Sequence, residues 1–277
     1  MRISVIVITY NWPQALDAVL QGLERQRELP FEVIVTDDGS SEETRKVLAR
    51  HARTFPVRLT HIWQPDDGAR MSRARNRGIL AARGDYIVLL DGDMVPSAHF
   101  IADHRAFAQR GCFVQGSRML PNEQATRRMF ANGRFQPHFF TRGLQRRRHS
   151  LRLLWLARAW AQPRTTRRGI KSCNMGFWRE DLIAINGFNE AMTGWGREDA
   201  ELAVRAFNYG LMRRDMRFAG MATHLWHRSR KYEGRSINDE ILDVAVARGL
   251  QRCEHGIDAH LGEFAQPPED LRADVAA

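Results

Sequence analysis

Cysteine is scarce in this chain of 277 residues. The three present, Cys112, Cys173 and Cys253, are scattered and odd in number, which excludes a disulfide framework and a clustered zinc site and points to a reducing cytoplasm. Lysine is also rare, three of the 42 basic residues, so the cationic chemistry here is guanidinium chemistry. No apolar run reaches membrane-spanning length without a charge. The first run, Ile3 to Ile8, is too short for the core of a signal peptide or a crossing helix. A soluble or membrane-peripheral chain is expected. Acidic residues are missing altogether between Glu123 and Glu180.

That last absence explains the net charge of +10. The stretch Arg127 to Arg168 holds twelve Arg and no Lys, Asp or Glu; without it the chain has 30 basic and 32 acidic residues. Charge so localised suits phosphate groups or an anionic membrane surface. It does not suit a nucleic-acid partner, which would call for a recognised binding motif and dispersed basic and aromatic residues.

What is present is a core. Apolar residues make up 43% of the chain, with seven Trp, as in an ordered globular protein. Residues 2–9 read as a buried strand broken by Tyr10-Asn11-Trp12-Pro13, with a helix from Pro13 carrying Leu16, Val19, Leu20 and Leu23 on one face. Strands follow at 31–36, 57–63, 86–90 and 112–116. Helices follow at Ser41 onward, 71–82 and from Ser97 through Phe107. This alternation predicts an α/β fold, a mostly parallel central sheet with helices on both faces. Ligands of such sheets bind beyond the carboxyl ends of the strands, where Thr9-Tyr10-Asn11, Asp37-Asp38 and Asp91-Gly92-Asp93 all fall. The arginine-rich stretch looks helical without one clean apolar stripe. Later, order is expected to resume at 173–178, with a turn at Asn186-Gly187-Phe188-Asn189, a helix at 199–209 and strands at 212–217 and 219–226. The end after Gln266, with Pro267-Pro268, is expected to be loosely held.

Three short motifs carry chemistry. In Asp91-Gly92-Asp93, two carboxylates after a buried strand offer oxygen ligands to a hard divalent cation, and the glycine lets the backbone come close; taken alone the triplet is weak evidence, since ordinary turns carry it by chance. In Gly194-Trp195-Gly196-Arg197-Glu198-Asp199, an aromatic between glycines suits stacking on a sugar ring, and the acids suit its hydroxyls. A helix start rich in acids leaves that Trp unexplained. In His224-Leu225-Trp226-His227, two imidazoles three residues apart are able to complete a metal site with Asp93, although histidines at strand ends are commonly structural.

In that order, these stretches resemble a known family. I-S-V-I-V-I-T-Y-N, V-I-V-T-D-D-G-S and Y-I-V-L-L-D-G-D are similar to the family 2 glycosyltransferases of the GT-A fold. The run from N-M-G-F-W-R-E-D through I-N-G-F and G-W-G-R-E-D to H-L-W-H resembles the C-terminal region of beta-1,4-galactosyltransferases and chondroitin polymerase. The resemblance spans about residues 2 to 230. It implies an inverting, metal-dependent transferase with a UDP-sugar donor, Mn²⁺ or Mg²⁺, and a glycan or glycolipid acceptor. Thr9, Tyr10, Asn11, Asp37 and Asp38 match the nucleotide-binding positions. Arg75 and Asn76 match a segment lining the diphosphate and donor sugar, and Asp91 the carboxylate near the ribose and sugar. Asp93 and His227 match metal ligands, joined here by His224, where some animal relatives carry Met. Trp195 and Glu198 match acceptor and donor contacts, and Asp199 the catalytic base. Arg197 departs from the pattern, standing where the family often has glycine.

Four regions are expected: a nucleotide-sugar-binding half at 1–118, an arginine-rich insertion at 119–170, an acceptor-binding and catalytic half at 171–265 and an end segment at 266–277. The insertion suits docking on the inner face of the cytoplasmic membrane, or simple solvation. The expected setting is bacterial surface-polysaccharide or lipopolysaccharide synthesis. A catalytically silent nucleotide-sugar-binding module on the same fold is the alternative; intact Asp91, Asp93 and Asp199 weigh against it.

Overall fold

The computed structural model describes residues 1–228, 234–264 and 268–273. In the first part, β1 (Ile3–Thr9), β2 (Glu32–Asp37), β3 (Arg58–Trp63) and β4 (Tyr86–Asp91) alternate with α1 (Pro13–Glu24), α2 (Glu42–Ala52) and α3 (Met71–Ala81). There follow β5 (Met94–Pro96), α4 (Phe100–Phe107), β6 (Cys112–Gln115), β7 (Ser117–Pro121), α5 (Glu123–Asn132), β8 (Leu144–Gln145) and α6 (Leu154–Trp160). Then come β9 (Asn174–Trp178), α7 (Arg179–Ala184), α8 (Glu198–Asn208), β10 (Met212–Asp215), β11 (Met221–His224) and α9 (Ile237–Ala247).

Seven strands form one sheet in the order β10-β6-β9-β4-β1-β2-β3. β1 pairs in parallel with β2 and β4, β2 with β3, and β6 with β10. β9 runs against both its neighbours, β4 and β6, a reversal that nothing in its own residues announces. A smaller sheet has the order β5-β11-β7-β8.

Period-2 alternation explains why the strands are apolar throughout. Ile3, Val5 and Val7 enter one core with Val33, Val35, Val88 and Leu90, completed by Leu16, Val19, Leu20 and Leu23 of α1. Ile6, Ile34, Ile87 and Leu89 enter the core on the other face, completed by Ile79 of α3, Leu182 of α7 and Leu202 and Ala206 of α8. Helices thus cover both faces, and the site-bearing strand ends are held by backbone on both sides.

Three expectations need correction. The helix expected from Ser97 starts at Phe100, because the Ser97 carbonyl accepts the Phe100 amide at 3.0 Å in a preceding turn. The arginine-rich stretch is not one helix. Gly133 ends α5 in the left-handed region (φ 64°), Gly143 turns the chain again (φ 84°), and a single 3-10 turn at Arg147–Ser150 precedes the short α6. The segment is anchored by charge: Arg152 reaches the buried Asp103 carboxylate through Nη2 at 2.6 Å, with Nε at 3.1 Å. Finally, residues 268–273 are not loose. The Leu271 amide donates to the Leu59 carbonyl at 2.9 Å, Arg58 donates to the Pro268 carbonyl, and Leu271 packs on the first core. Among the described residues no helix is long and apolar enough to cross a membrane.

Candidate active site

One wall of the site is made by strand ends. Asp91 is the last residue of β4, and Gly92 turns back so closely that its amide donates to the Ile8 carbonyl at 2.7 Å. A Cβ there would lie 2.8 Å from that oxygen, so the turn requires glycine. Asp93 is thereby delivered opposite β11. The β5–β11 pairing sets His224 across from Met94, and the Leu225 amide donates to the Asp93 carbonyl at 2.9 Å. Asp93 Oδ2 lies 3.6 Å from His224 Nε2 and 3.3 Å from His227 Nε2.

The electrostatics of this wall are compatible with a bound cation. Asp93 Oδ1 is buried without a hydrogen-bond partner. Burial, aided by the Asp91 charge, pushes the Asp93 carboxyl up to about 8. Burial, then Arg118 and His227, lowers His224 to about 4, leaving its imidazole neutral and able to ligate. One carboxylate and two imidazole donor atoms lie within 4.8 Å of one another. That mixed set fits a borderline divalent ion such as Mn²⁺, and is richer in nitrogen than Mg²⁺ favours.

The opposite wall is a loop and the helix it opens. Gly194 and Gly196 (φ 78° and 108°) let the chain turn tightly around Trp195, a residue 48% exposed. α8 then begins with Glu198 and Asp199 in its first turn, where carboxylates meet the positive end of the helix. Glu198 Oε2 accepts the Gly196 amide at 2.9 Å, and Asp199 Oδ1 accepts the Ser172 hydroxyl at 2.8 Å. Burial and the neighbouring Asp199 raise the Glu198 pKa against the pull of Arg75. Arg75, buried on α3, donates from Nη2 to Asp91 Oδ1 at 2.9 Å, while its buried Nη1 has no partner. Burial opposes its charge but is outweighed by Asp91, Glu198 and Asp199, which raise its pKa. Both walls line one cavity of about 460 Å³.

The sequence-predicted residues divide into groups. Asp91, Asp93, Arg75, Trp195, Glu198, Asp199, His224 and His227 line this cavity. The residues expected to bind the nucleotide form a separate cluster at the ends of β1 and β2. Thr9 is buried, and Tyr10 is exposed with its hydroxyl donating to Asp66 at 2.9 Å. Asn11 is left-handed (φ 45°), its amide donating to Ser40 Oγ at 2.8 Å. Asp37 accepts the Ser40 amide at 2.8 Å and faces His61 at 3.1 Å. Asp38 accepts Gln64 Nε2 at 2.7 Å and the Arg70 amide at 2.9 Å, and burial raises its pKa.

Asn76 is not among the cavity-lining residues. Its side chain donates to the Phe188 carbonyl at 2.8 Å and to Glu190 Oε1 at 2.7 Å, and accepts the Phe188 amide at 2.8 Å. It pins the turn of the I-N-G-F motif, where Asn186 and Gly187 both have φ 63°. Arg197 also lines the cavity and ion-pairs with Asp239 of α9 at 2.6 Å. Sequence reasoning missed Ser172, Arg118 and Lys171, which also face the cavity; no spacing or composition signal marks any of them.

This architecture is the GT-A glycosyltransferase fold. The structure aligns with S. aureus TarS 1-349 in complex with UDP at TM-score 0.62 and 16% identity, covering 95% of this chain and 70% of that one. It aligns with the mannosyltransferase PcManGT from Pyrobaculum calidifontis, in complex with GDP-Man and Mn²⁺, at TM-score 0.55 and 20% identity, covering 99% and 78%. By sequence, the Glycosyl transferase family 2 profile matches residues 4–162, and that of the N-terminal domain of galactosyltransferase matches residues 156–228. The chain belongs to glycosyl transferase family 2, with a galactosyltransferase-like segment after it. It is 29% identical to a Pasteurella multocida hyaluronan synthase over 75% of this chain and 23% of that protein. It is 30% identical to a validoxylamine A glucosyltransferase of Streptomyces hygroscopicus subsp. limoneus over 76% and 48%. The chain thus spans about half or less of the length of these relatives.

Proposed function

We propose that this glycosyltransferase is inverting and divalent-metal-dependent, and moves a sugar from a UDP-sugar to a hydroxyl of a glycan or lipid-linked acceptor. The observation that carries the reading is the pairing, across one cavity, of a cation-ready triad (Asp93, His224, His227) with a carboxylate oriented by a hydroxyl donor, Asp199 on Ser172. The complexes of TarS with UDP and of the mannosyltransferase with GDP-Man and Mn²⁺ support a nucleotide-sugar donor and Mn²⁺.

In this reading Thr9, Tyr10, Asn11, Asp37 and Asp38 receive the nucleoside end, while Arg75 and Asp91 meet the diphosphate and sugar. Asp93, His224 and His227 hold the ion, which when bound supplies positive charge to the departing diphosphate. Asp199 takes the proton of the acceptor hydroxyl as its oxygen bonds to the anomeric carbon and the bond to the diphosphate oxygen breaks. One displacement inverts the centre. Glu198, inclined by burial to keep its proton, hydrogen-bonds the acceptor, and Trp195 offers a face for its ring. Ser172 fixes which Asp199 oxygen faces the acceptor.

The exposed Phe140 (77%) and Trp155 (72%), in the same arginine-rich stretch as Arg146, Arg147, Arg148 and Arg158, support peripheral docking on the inner, anionic face of the cytoplasmic membrane. Such a location agrees with surface-polysaccharide or lipopolysaccharide synthesis.

The test is release of UDP from a panel of UDP-sugars with Mn²⁺ and a crude glycolipid fraction. Asp199→Asn is expected to lose about 10²- to 10⁴-fold in turnover while binding UDP and Mn²⁺ like the native protein. Unimpaired transfer in a chelator would refute the metal requirement.

A further inference from the structure

Beside the reaction cavity lies a second cleft of about 450 Å³, and the two share Arg118, Lys171 and Cys173 in their walls. Six cations line the second cleft, Arg118, Arg146, Arg164, Lys171, Arg213 and Arg217, against one carboxylate, Asp215. Asp215 is already committed: it accepts Arg213 at 2.6 Å and has Arg164 at 3.7 Å. Arg213 is further fixed by donating to the Thr166 and Arg168 carbonyls. Those two cations are structural. Among the described residues, Arg118, Arg146, Lys171 and Arg217 have no carboxylate within 4.0 Å.

We infer that this cleft binds a phosphate or diphosphate group carried by the acceptor, next to the point where the acceptor hydroxyl reacts. The inference rests on the transferase reading and names the acceptor's chemistry within it. Four like charges gathered without a directly paired carboxylate repel one another, and an oxyanion relieves that repulsion while taking the forked hydrogen bonds guanidinium offers. His149 registers the same field: burial first, then Arg148, Arg217, Arg146 and Arg118, lower its pKa, and its Nδ1 is buried without a partner. Trp160, 42% exposed with Arg217 stacked 4.5 Å over its ring, gives the cleft an apolar side for the carbon skeleton attached to the phosphate. The donor's diphosphate has its own charges, Arg75 and the metal triad, in the neighbouring cavity.

The test is a calorimetric titration of inorganic diphosphate into the metal-free protein, with UDP and Mn²⁺ binding measured separately. The double variant Arg146→Ser, Arg217→Ser is expected to weaken diphosphate binding at least about tenfold with UDP and Mn²⁺ binding unchanged. Arg146→Ser alone, at an exposed position, gives a smaller loss without disturbing Trp160. Arg45→Ser on α2 changes nothing. Diphosphate affinity in the double variant within about twofold of native overturns the inference. So does a double variant that loses binding to vesicles of phosphatidylcholine with phosphatidylglycerol but keeps diphosphate, since the cations then serve a membrane surface. Failure of the native protein to bind UDP with Mn²⁺ counts against the transferase reading and leaves the diphosphate result to stand on its own.

Discussion

The two walls of the candidate active site are built by different means. The Asp91–Asp93 wall is set by backbone: β4 lies between β1 and β9, and the β5–β11 ladder fixes His224 opposite Met94. The wall from Asn186 to Asp199 has no strand in it. Side chains hold it: Asn76 on Phe188, His260 on Glu190 at 2.7 Å, and Asn238 on the Thr193 and Gly196 carbonyls at 3.0 and 2.9 Å. Behind it, Arg205 is fully buried, paired with Glu201 at 2.7 Å and donating to the Ile185 and Gly187 carbonyls. The lesson is that the wall bearing the proposed metal ligands comes with the sheet, whereas the wall bearing the proposed base depends on a polar network that single substitutions or pH are expected to loosen.

Breaking the first wall has the largest effect on transfer. Asp93→Asn is expected to lower it at least about 10³-fold and to abolish Mn²⁺ binding. Thermal stability should be unharmed, because a neutral amide of nearly the same shape replaces a carboxyl whose charge burial and Asp91 disfavour; rates, metal titration and melting curves check the three parts.

Breaking the support of the second wall reads first in stability. Arg205→Met leaves Glu201 buried and unpaired and should cost about 3–5 kcal/mol in denaturant unfolding. Adding Glu201→Gln should recover part of it. Asn76→Ala is milder: about tenfold in turnover through a shifted Asp199, with Mn²⁺ and UDP affinity kept. Equal loss of both affinities would show that Asn76 serves the donor after all.

The smallest effect is on pH dependence. Hydrogen bonds donated by His260 to Glu190 first, and to Glu263, raise its pKa above the ordinary 6.5 against burial. Its contribution to stability is therefore complete below about 6.5 and lost as pH rises through the raised folded value. His260→Gln should flatten the melting temperature against pH in that interval; an unchanged slope would remove His260 from the network.

The contrast between the walls also explains what was legible in the sequence. β1, β2 and β4 are buried on both faces, so each reads as an unbroken apolar run and its polar end stands out at Thr9, Asp37 and Asp91. G-W-G-R-E-D was legible because two glycines around a tryptophan have no purpose in an ordinary helix start. Long-range pairing was not legible. Nothing in Asn174–Trp178 says that it runs against β4, and nothing in residues 268–273 says that they bind the edge of β3. Nor does periodicity foresee an anchor made of charge, such as Arg152 on Asp103, so the arginine-rich stretch was read as a helix. Ser172 and the hold of Asn76 on Phe188 depend on contacts across 27 and 112 positions, beyond the reach of any local pattern.

The most direct test titrates Mn²⁺ in the presence of UDP, by the loss of its free electron paramagnetic resonance signal, into His227→Ala and Asp199→Asn side by side with the native protein. Separate walls predict that the histidine variant loses the ion while the aspartate variant binds it at native affinity yet barely turns over. Equal loss of the ion in both variants, or none in either, would contradict that division.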